Sequence, residues 1–280
     1  MIKYRICEGV NLNKRRMYFA DDLYSSDPLI TADMIHNFNY KLEETPEILW
    51  RIDMMVTYGI IVPHGAWSLS GFTANMAYRV LAGSPVDTVV VIGPSHHAGL
   101  NGISISQSET FETPFGDIPI DQQLVEYLKN KFDLKHHPMA HREHSTEVQM
   151  PFIHHYMPNA MVVELVYGFA TVESLEPIVS YILENRRYAV VISTDLSHFH
   201  ALEDANILDM QCIEAITKGD SELLQNGCEA CGSTGVQALL EAAQKEDLEG
   251  LLLDYSTSAD SNGNSSSVVG YMSAIFQEKL

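Results

Sequence analysis

Four short segments carry side chains that bind metals or move protons: Pro63-His64-Gly65, Gly93-Pro94-Ser95-His96-His97, Ser193-Thr194-Asp195-Leu196-Ser197-His198 and Cys231-Gly232. Each stands where a strand is expected to end. In an open α/β sheet, ligands bind beyond the carboxyl ends of the strands, so these placements predict that the four segments meet at one metal site. A single His after a strand, such as His64 taken alone, is more often a polar core or surface residue. Only the set carries the argument.

Around these positions the residue types divide the work. Adjacent imidazoles point in different directions, so only one of His96 and His97 is expected to reach the metal, leaving the other to contact substrate. Asp195 and His198 are three apart just past a strand and could share one face of the following turn. There a carboxylate orients an imidazole and makes it more basic, which suits acid/base chemistry; an N-cap Asp with an exposed His is the plainer reading. His200 ranks below His198. In Glu143-His144-Ser145-Thr146-Glu147, Ser145 could cap a helix with Val148 and Phe152 on its apolar face, leaving His144 near the substrate. The turn-rich stretch 113–121 reads either as a pocket wall or as a surface connection. Cys228-Glu229-Ala230-Cys231 admits a zinc or redox reading, yet no second Cys pair completes a four-ligand site. Cys231 is better placed at a helix start, where the helix dipole and a nearby metal favour a thiolate.

The elements that must position these residues alternate. Short Val- and Ile-rich runs at 59–62, 88–92, 161–166 and 188–193 read as buried strands. Apolar spacing at 31–42, 71–81, 122–132, 172–184 and 205–216 reads as helices. The chain closes with two strand-like runs, 251–256 and 268–276, as a hairpin-type pair around a Ser/Asn/Gly-rich loop that is either a linker or a turn near the site. The fold class expected is α/β: a single domain over 1–280 with a central mixed, largely parallel sheet flanked by helices. The first 50 or so residues are irregular in pattern, with a turn at Ser25-Ser26-Asp27-Pro28.

Bulk properties narrow the function. With 280 residues, 46% hydrophobic and 19% charged, the chain can bury a substantial core and contains no apolar run of membrane-spanning length. A net charge of −20 argues against nucleic acid or anionic membranes as partners, leaving a small-molecule substrate or a peptide ligand. Met1 to Cys7 lacks the apolar core of a secretory signal, and four cysteines are too few for a disulfide framework. Both features predict a cytoplasmic protein with free thiols. No phosphate-cradling glycine fingerprint or Gly-x-Ser-x-Gly elbow is present.

From about Gly59 to Phe276 the ordered segments resemble the Memo family, whose microbial members are called protein B of the AmmeMemoRadiSam system. The pieces carrying the resemblance are Val62-Pro63-His64, Gly93-Pro94-Ser95-His96-His97, Glu143-His144-Ser145-x-Glu147, Ser193-Thr194-Asp195-x-x-His198 and Cys231-Gly232. That family is similar in structure to LigB-type class III extradiol dioxygenases, non-haem iron enzymes acting on catechols. The resemblance implies His64, His96 and Cys231 as metal ligands, His198 as the acid/base histidine with Asp195 beside it, and His97, His144, Glu147 and Trp67 around the substrate. It implies Fe(II) first, with zinc or copper as the metals a soft thiolate also admits. The chain departs from the family pattern at His64-Gly65-Ala66-Trp67, where members usually read His-Ala-Gly-Tyr, and around Met17-Tyr18-Phe19-Ala20. Three functions compete: a metal-dependent, dioxygenase-like oxidoreductase, a non-catalytic adaptor binding a ligand or peptide in the same cleft, and a hydrolase with Cys231 as nucleophile.

Overall fold

Strands buried on both faces are built from uninterrupted apolar runs, because no side of the pleat meets water. Val89 to Ile92, Ile60 to Val62 and Val190 to Ile192 are all fully buried, and they form the centre of the sheet. A computed structural model describes residues 14–44, 52 and 54–279. The readings made on Met1 to Cys7 lie outside the described residues.

In chain order the elements begin with β1 (Lys14–Arg15), α1 (Pro28–Glu43), β2 (Gly59–Val62), α2 (Trp67–Ala82), β3 (Thr88–Pro94), β4 (Ile103–Ile105), β5 (Thr110–Thr113) and β6 (Gly116–Pro119). There follow α3 (Gln122–Lys131), α4 (His144–Glu147), α5 (Met150–Tyr156), β7 (Met161–Tyr167), α6 (Val172–Glu184), β8 (Tyr188–Ser193) and β9 (His198–His200). The last part holds α7 (Leu202–Lys218), a 3-10 helix at Ser221–Asn226, α8 (Ser233–Lys245), β10 (Leu248–Thr257), α9 (Ser258–Asn262) and β11 (Val268–Glu278). The main sheet runs β10-β11-β2-β8-β3-β7-β4, with β9 added on β11.

Its centre, β2-β8-β3-β7, is parallel. The flanking strands β4, β10 and β11 are antiparallel to their neighbours, which gives the mixed sheet expected from the sequence. Helices cover it: α2 packs on β2, β10 and β11, and α8 on β3, β8 and β10. Their ends follow local chemistry. Asp27 caps α1 by accepting from the N–H groups of Leu29 and Ile30, with Pro28 at the first helical position. The loop between β10 and β11 contains α9, closed by a capping box between Thr257 and Asp260.

Two expectations are corrected here. The stretch 113–121 does not line the cleft that holds His96 and Cys231: β5 and β6 form a hairpin that pairs with β1 in a separate three-stranded sheet, and Asp121 caps α3. The thiols are not all free: Cys212 and Cys228 form a disulfide across 16 residues of chain. Composition cannot reveal such a pair, because Cys212 lies within α7 and meets Cys228 only after the 3-10 helix turns the chain back. Among the described residues, no helix is long and apolar enough to cross a membrane.

Ile192 is fully buried in β8, between β2 and β3. Truncation to Ala is expected to cost about 2–5 kcal/mol, read as a lower urea midpoint; a cost below about 1 kcal/mol would contradict the central place of β8.

Candidate metal centre

Register brings the strand ends together. Val62 pairs with Ser193 across β2 and β8, and Ile92 pairs with Ile192 across β3 and β8, so the three parallel strands stop at one level. His64, Asp195 and His96 each lie a few residues past those ends. The carboxylate Oδ1 of Asp195 accepts from the backbone N–H of His64 at 2.7 Å and of Gly65 at 3.2 Å, tying the loop after β2 to the loop after β8. Cys231 arrives from the other direction, two residues ahead of α8. Its N–H donates to the Asp195 carbonyl at 3.3 Å, and that of Gly232 donates to Thr194 Oγ1 at 2.8 Å. A Cβ on Gly232 would stand 2.6 Å from Thr194 Cβ, so this approach requires glycine.

The hydrogen bonds settle the imidazole tautomers. Ser193 Oγ donates its one hydrogen to the Ser145 carbonyl and accepts from Gln149 Nε2 at 2.8 Å. Its remaining capacity is as an acceptor, so His64 Nδ1, 3.1 Å away, carries the proton. His64 Nε2 is then unprotonated and faces Cys231 Sγ at 3.3 Å. His96 Nδ1 lies 3.0 Å from Glu143 Oε1, which leaves its Nε2 free as well. Donor atoms of His64, His96 and Cys231 lie within 4.8 Å of one another. Two imidazoles with Nδ1 anchored by polar partners, together with one sulfur, make a donor set that fits a soft or borderline dication.

Burial shapes the charges. It pushes His64 down to about 4 against the pull of Asp195, keeping the ring neutral as a ligand must be. It also pushes the Cys231 thiol up to about 12, with Asp195 adding to the effect. Without a cation beside it the sulfur stays protonated despite the dipole of α8, so the thiolate expected at this helix start depends on the nearby metal that the same expectation named. Burial alone would raise Glu143, but hydrogen bonds from His144 and His96 outweigh it and hold the carboxyl well below its usual range. Glu143 also accepts from the N–H groups of His96 at 2.6 Å and His97 at 3.3 Å. It is the clamp under the His96-His97 turn.

The other sequence-predicted residues divide. His198 Nε2 lies 4.0 Å from Asp195 Oδ2, near the centre and partly exposed, within β9 rather than after a helix cap. His97 Nε2 lies 3.1 Å from His144 Nδ1, and Phe19 stacks on His97 with ring centres 5.1 Å apart. A cleft of about 410 Å³ opens beside them, with His96, His97, Tyr167, Phe169, Cys231 and Thr234 in its lining. His200 pairs instead with Glu229 at 2.7 Å.

Trp67 and Glu147 are not in the cleft. Trp67 is 2% exposed, stacked on Phe152 with its Nε1 donating to the Val148 carbonyl, because a large ring at the start of α2 fills the gap between α1 and α5. Glu147 is fully buried and holds the N-terminal segment: Arg15 Nη1 at 2.6 Å, the N–H groups of Tyr18 and Phe19 at 2.8 and 2.7 Å, and the Tyr24 hydroxyl at 3.1 Å. Ser145 is no helix cap; Glu143 caps α4, while Ser145 Oγ donates to the Pro94 carbonyl. Sequence reasoning missed Glu143, Ser193 and Gln149 as supports of the candidate ligands and Phe19 as the ring stacked on His97. Glu143 had a signal, an acid directly before His144; the others had none.

The chain matches the Memo-like protein family over residues 15–275. It is 33% identical to a MEMO1 family protein of Methanobrevibacter smithii over 278 residues, covering 93% of this chain and 97% of that one. A MEMO1 family protein of Methanothermobacter thermautotrophicus is 32% identical over 274 residues, 92% of this chain and 98% of the relative. One from Caldivirga maquilingensis is 33% identical over 232 residues, 78% and 82% of the two chains.

Two variants separate support from packing. Glu143→Gln is expected to weaken metal binding by about 10- to 100-fold in a competition titration while the protein stays folded. Trp67→Ala is expected to lose about 3–5 kcal/mol of stability yet bind metal undiminished in its folded fraction; weakened binding in that fraction would place Trp67 at the site after all.

Proposed function

Since the chain belongs to the Memo family, we propose that it is a metal-dependent oxidoreductase of extradiol-dioxygenase type acting on a small molecule, with Fe(II) held by His64, His96 and Cys231. The observation that carries this reading is the convergence of those three donors, each imidazole offering Nε2 while its Nδ1 is held. When bound, Fe(II) supplies Lewis acidity and one-electron chemistry at a centre whose three protein ligands leave coordination positions open.

The protein's own residues do the rest. His198 is the base: its ring is partly exposed, with Asp195 Oδ2 4.0 Å from Nε2, and it would take the proton from a substrate hydroxyl. Phe19 and His97 offer a stacked pair against which a planar ring can lie, and His144, edge-on to Phe19, closes that side. A small aromatic carrying adjacent hydroxyls is the substrate these groups favour, with its ring toward His97 in the cleft and its hydroxyls toward the ligands. The partly buried sulfur of Cys231, 3.3 Å from His64 Nε2, favours a cation as its partner over a role as free nucleophile, since desolvation and Asp195 raise the thiol above its usual range.

Elemental analysis of protein purified without oxygen tests the reading, with wild type beside Cys231→Ala. Near-stoichiometric iron in the wild type, lost in the variant, is expected. His198→Gln is expected to keep the iron and lose turnover of a catechol panel by about 10²–10⁴-fold. Metal absent from both proteins would turn the assignment to a non-catalytic protein that holds a ligand or peptide in the cleft; zinc or copper in place of iron would remove the dioxygenase chemistry and keep the metal site.

A further inference from the structure

Cys231 reaches the centre on residues 227–232, a segment that runs from the end of the 3-10 helix Ser221–Asn226 to α8 without helix or strand of its own. Its downstream side is well held. Gly232 donates to Thr194, Cys231 donates to the Asp195 carbonyl, and α8 begins at Ser233. Upstream the supports are fewer: the N–H groups of Gly227 and Cys228 both donate to the Leu224 carbonyl, that of Cys228 at 3.3 Å, Ala230 packs its methyl into the core, and Glu229 meets His200 in a partly exposed contact. The remaining support is covalent, the bond from Cys228 to Cys212, which is 1% exposed within α7.

We propose that the Cys212–Cys228 disulfide is a redox-controlled staple that holds Cys231 in ligating position and so sets the metal affinity of the centre. The inference rests on reading Cys231 as a ligand. Three residues of chain span about 10 Å at most, so a Cys228 bonded to a packed helix confines where Cys231 can go. Without the bond, the upstream half of the segment is held by two N–H groups sharing the Leu224 carbonyl, the small Ala230 side chain in the core and a surface contact between Glu229 and His200, and surface pairs contribute little. The freedom then gained by Cys231 must be removed each time a metal binds, which weakens binding.

The chemistry closes with a dithiol reductant as co-reactant. One of its thiolates attacks Cys228 Sγ, the partly exposed sulfur of the pair, and the S–S bond breaks with Cys212 leaving as a thiolate that takes up a proton. The reductant's second thiol displaces Cys228 and forms the reductant's own disulfide. Two electrons pass to the protein, whose products are the thiols of Cys212 and Cys228. Cys231 is not consumed.

Anaerobic titration with Co(II) alone tests the proposal, because a sulfur-to-cobalt absorption band reports ligation by Cys231 directly. Three samples are compared: protein with the disulfide intact, the same protein reduced by a dithiol and desalted, and the Cys212→Ser/Cys228→Ser double variant. Reduced protein and double variant are expected to bind about tenfold more weakly than the intact form, with affinity restored in the reduced protein after reoxidation. Should the double variant fail to fold, the reduced and reoxidised wild type carry the test alone. Equal affinity in intact and reduced protein overturns the proposal, as does differential alkylation finding Cys212 and Cys228 unlinked in protein isolated without reductant. If no form binds cobalt, the metal assignment itself falls and this inference with it.

Discussion

The carboxylate of Asp195 joins what the sheet only brings near. Parallel strands β2 and β8 end side by side, but their loops could diverge; Asp195 Oδ1, accepting from two successive N–H groups at His64 and Gly65, keeps both on one course. The same residue's backbone carbonyl receives the N–H of Cys231, and its Oδ2 faces both His64 and His198. One residue thus ties His64 to Cys231 and faces His198. Orienting groups of this kind matter because an imidazole displaced by an ångström no longer shares a cation with its neighbours.

Around that tie, Ser193 and Glu143 hold the site by being fully used. Ser193 Oγ serves a carbonyl, an amide and an imidazole at once, and Glu143 accepts from backbone and rings alike. Such networks are costly when incomplete and specific when complete, since each member has one arrangement that satisfies it. Glu147 does the same for the N-terminal segment: with Arg15 it forms a fully enclosed ion pair, to which Glu164, His141 and Thr146 connect. Through that segment Phe19 is carried onto His97, which lines the cleft. The polar interior therefore links the far end of the chain to the wall of the site.

Much of this was legible in residue order. Uninterrupted Val and Ile runs identify the central parallel strands because burial on both faces leaves no polar position, and α6 begins and ends where its apolar spacing does. Metal-binding residue types directly after those runs point to a common site, because parallel strands put their carboxyl ends together. Trp67 and Glu147 were misplaced for one reason: both stand beside ligating motifs in the chain, while their side chains face the packed interior. The disulfide was unreadable, since pairing depends on how α7 and the 3-10 helix fold back.

What the sequence by itself determined is the class of fold, the family and the identity of the three candidate ligands, because strand patterning and residue type are local properties. Tertiary structure decided which nitrogen of each imidazole is free, which carboxylate clamps and which caps, and which rings face the cleft. Those depend on hydrogen bonds between residues far apart in the chain, such as His64 with Ser193 and His96 with Glu143, and no local pattern encodes them.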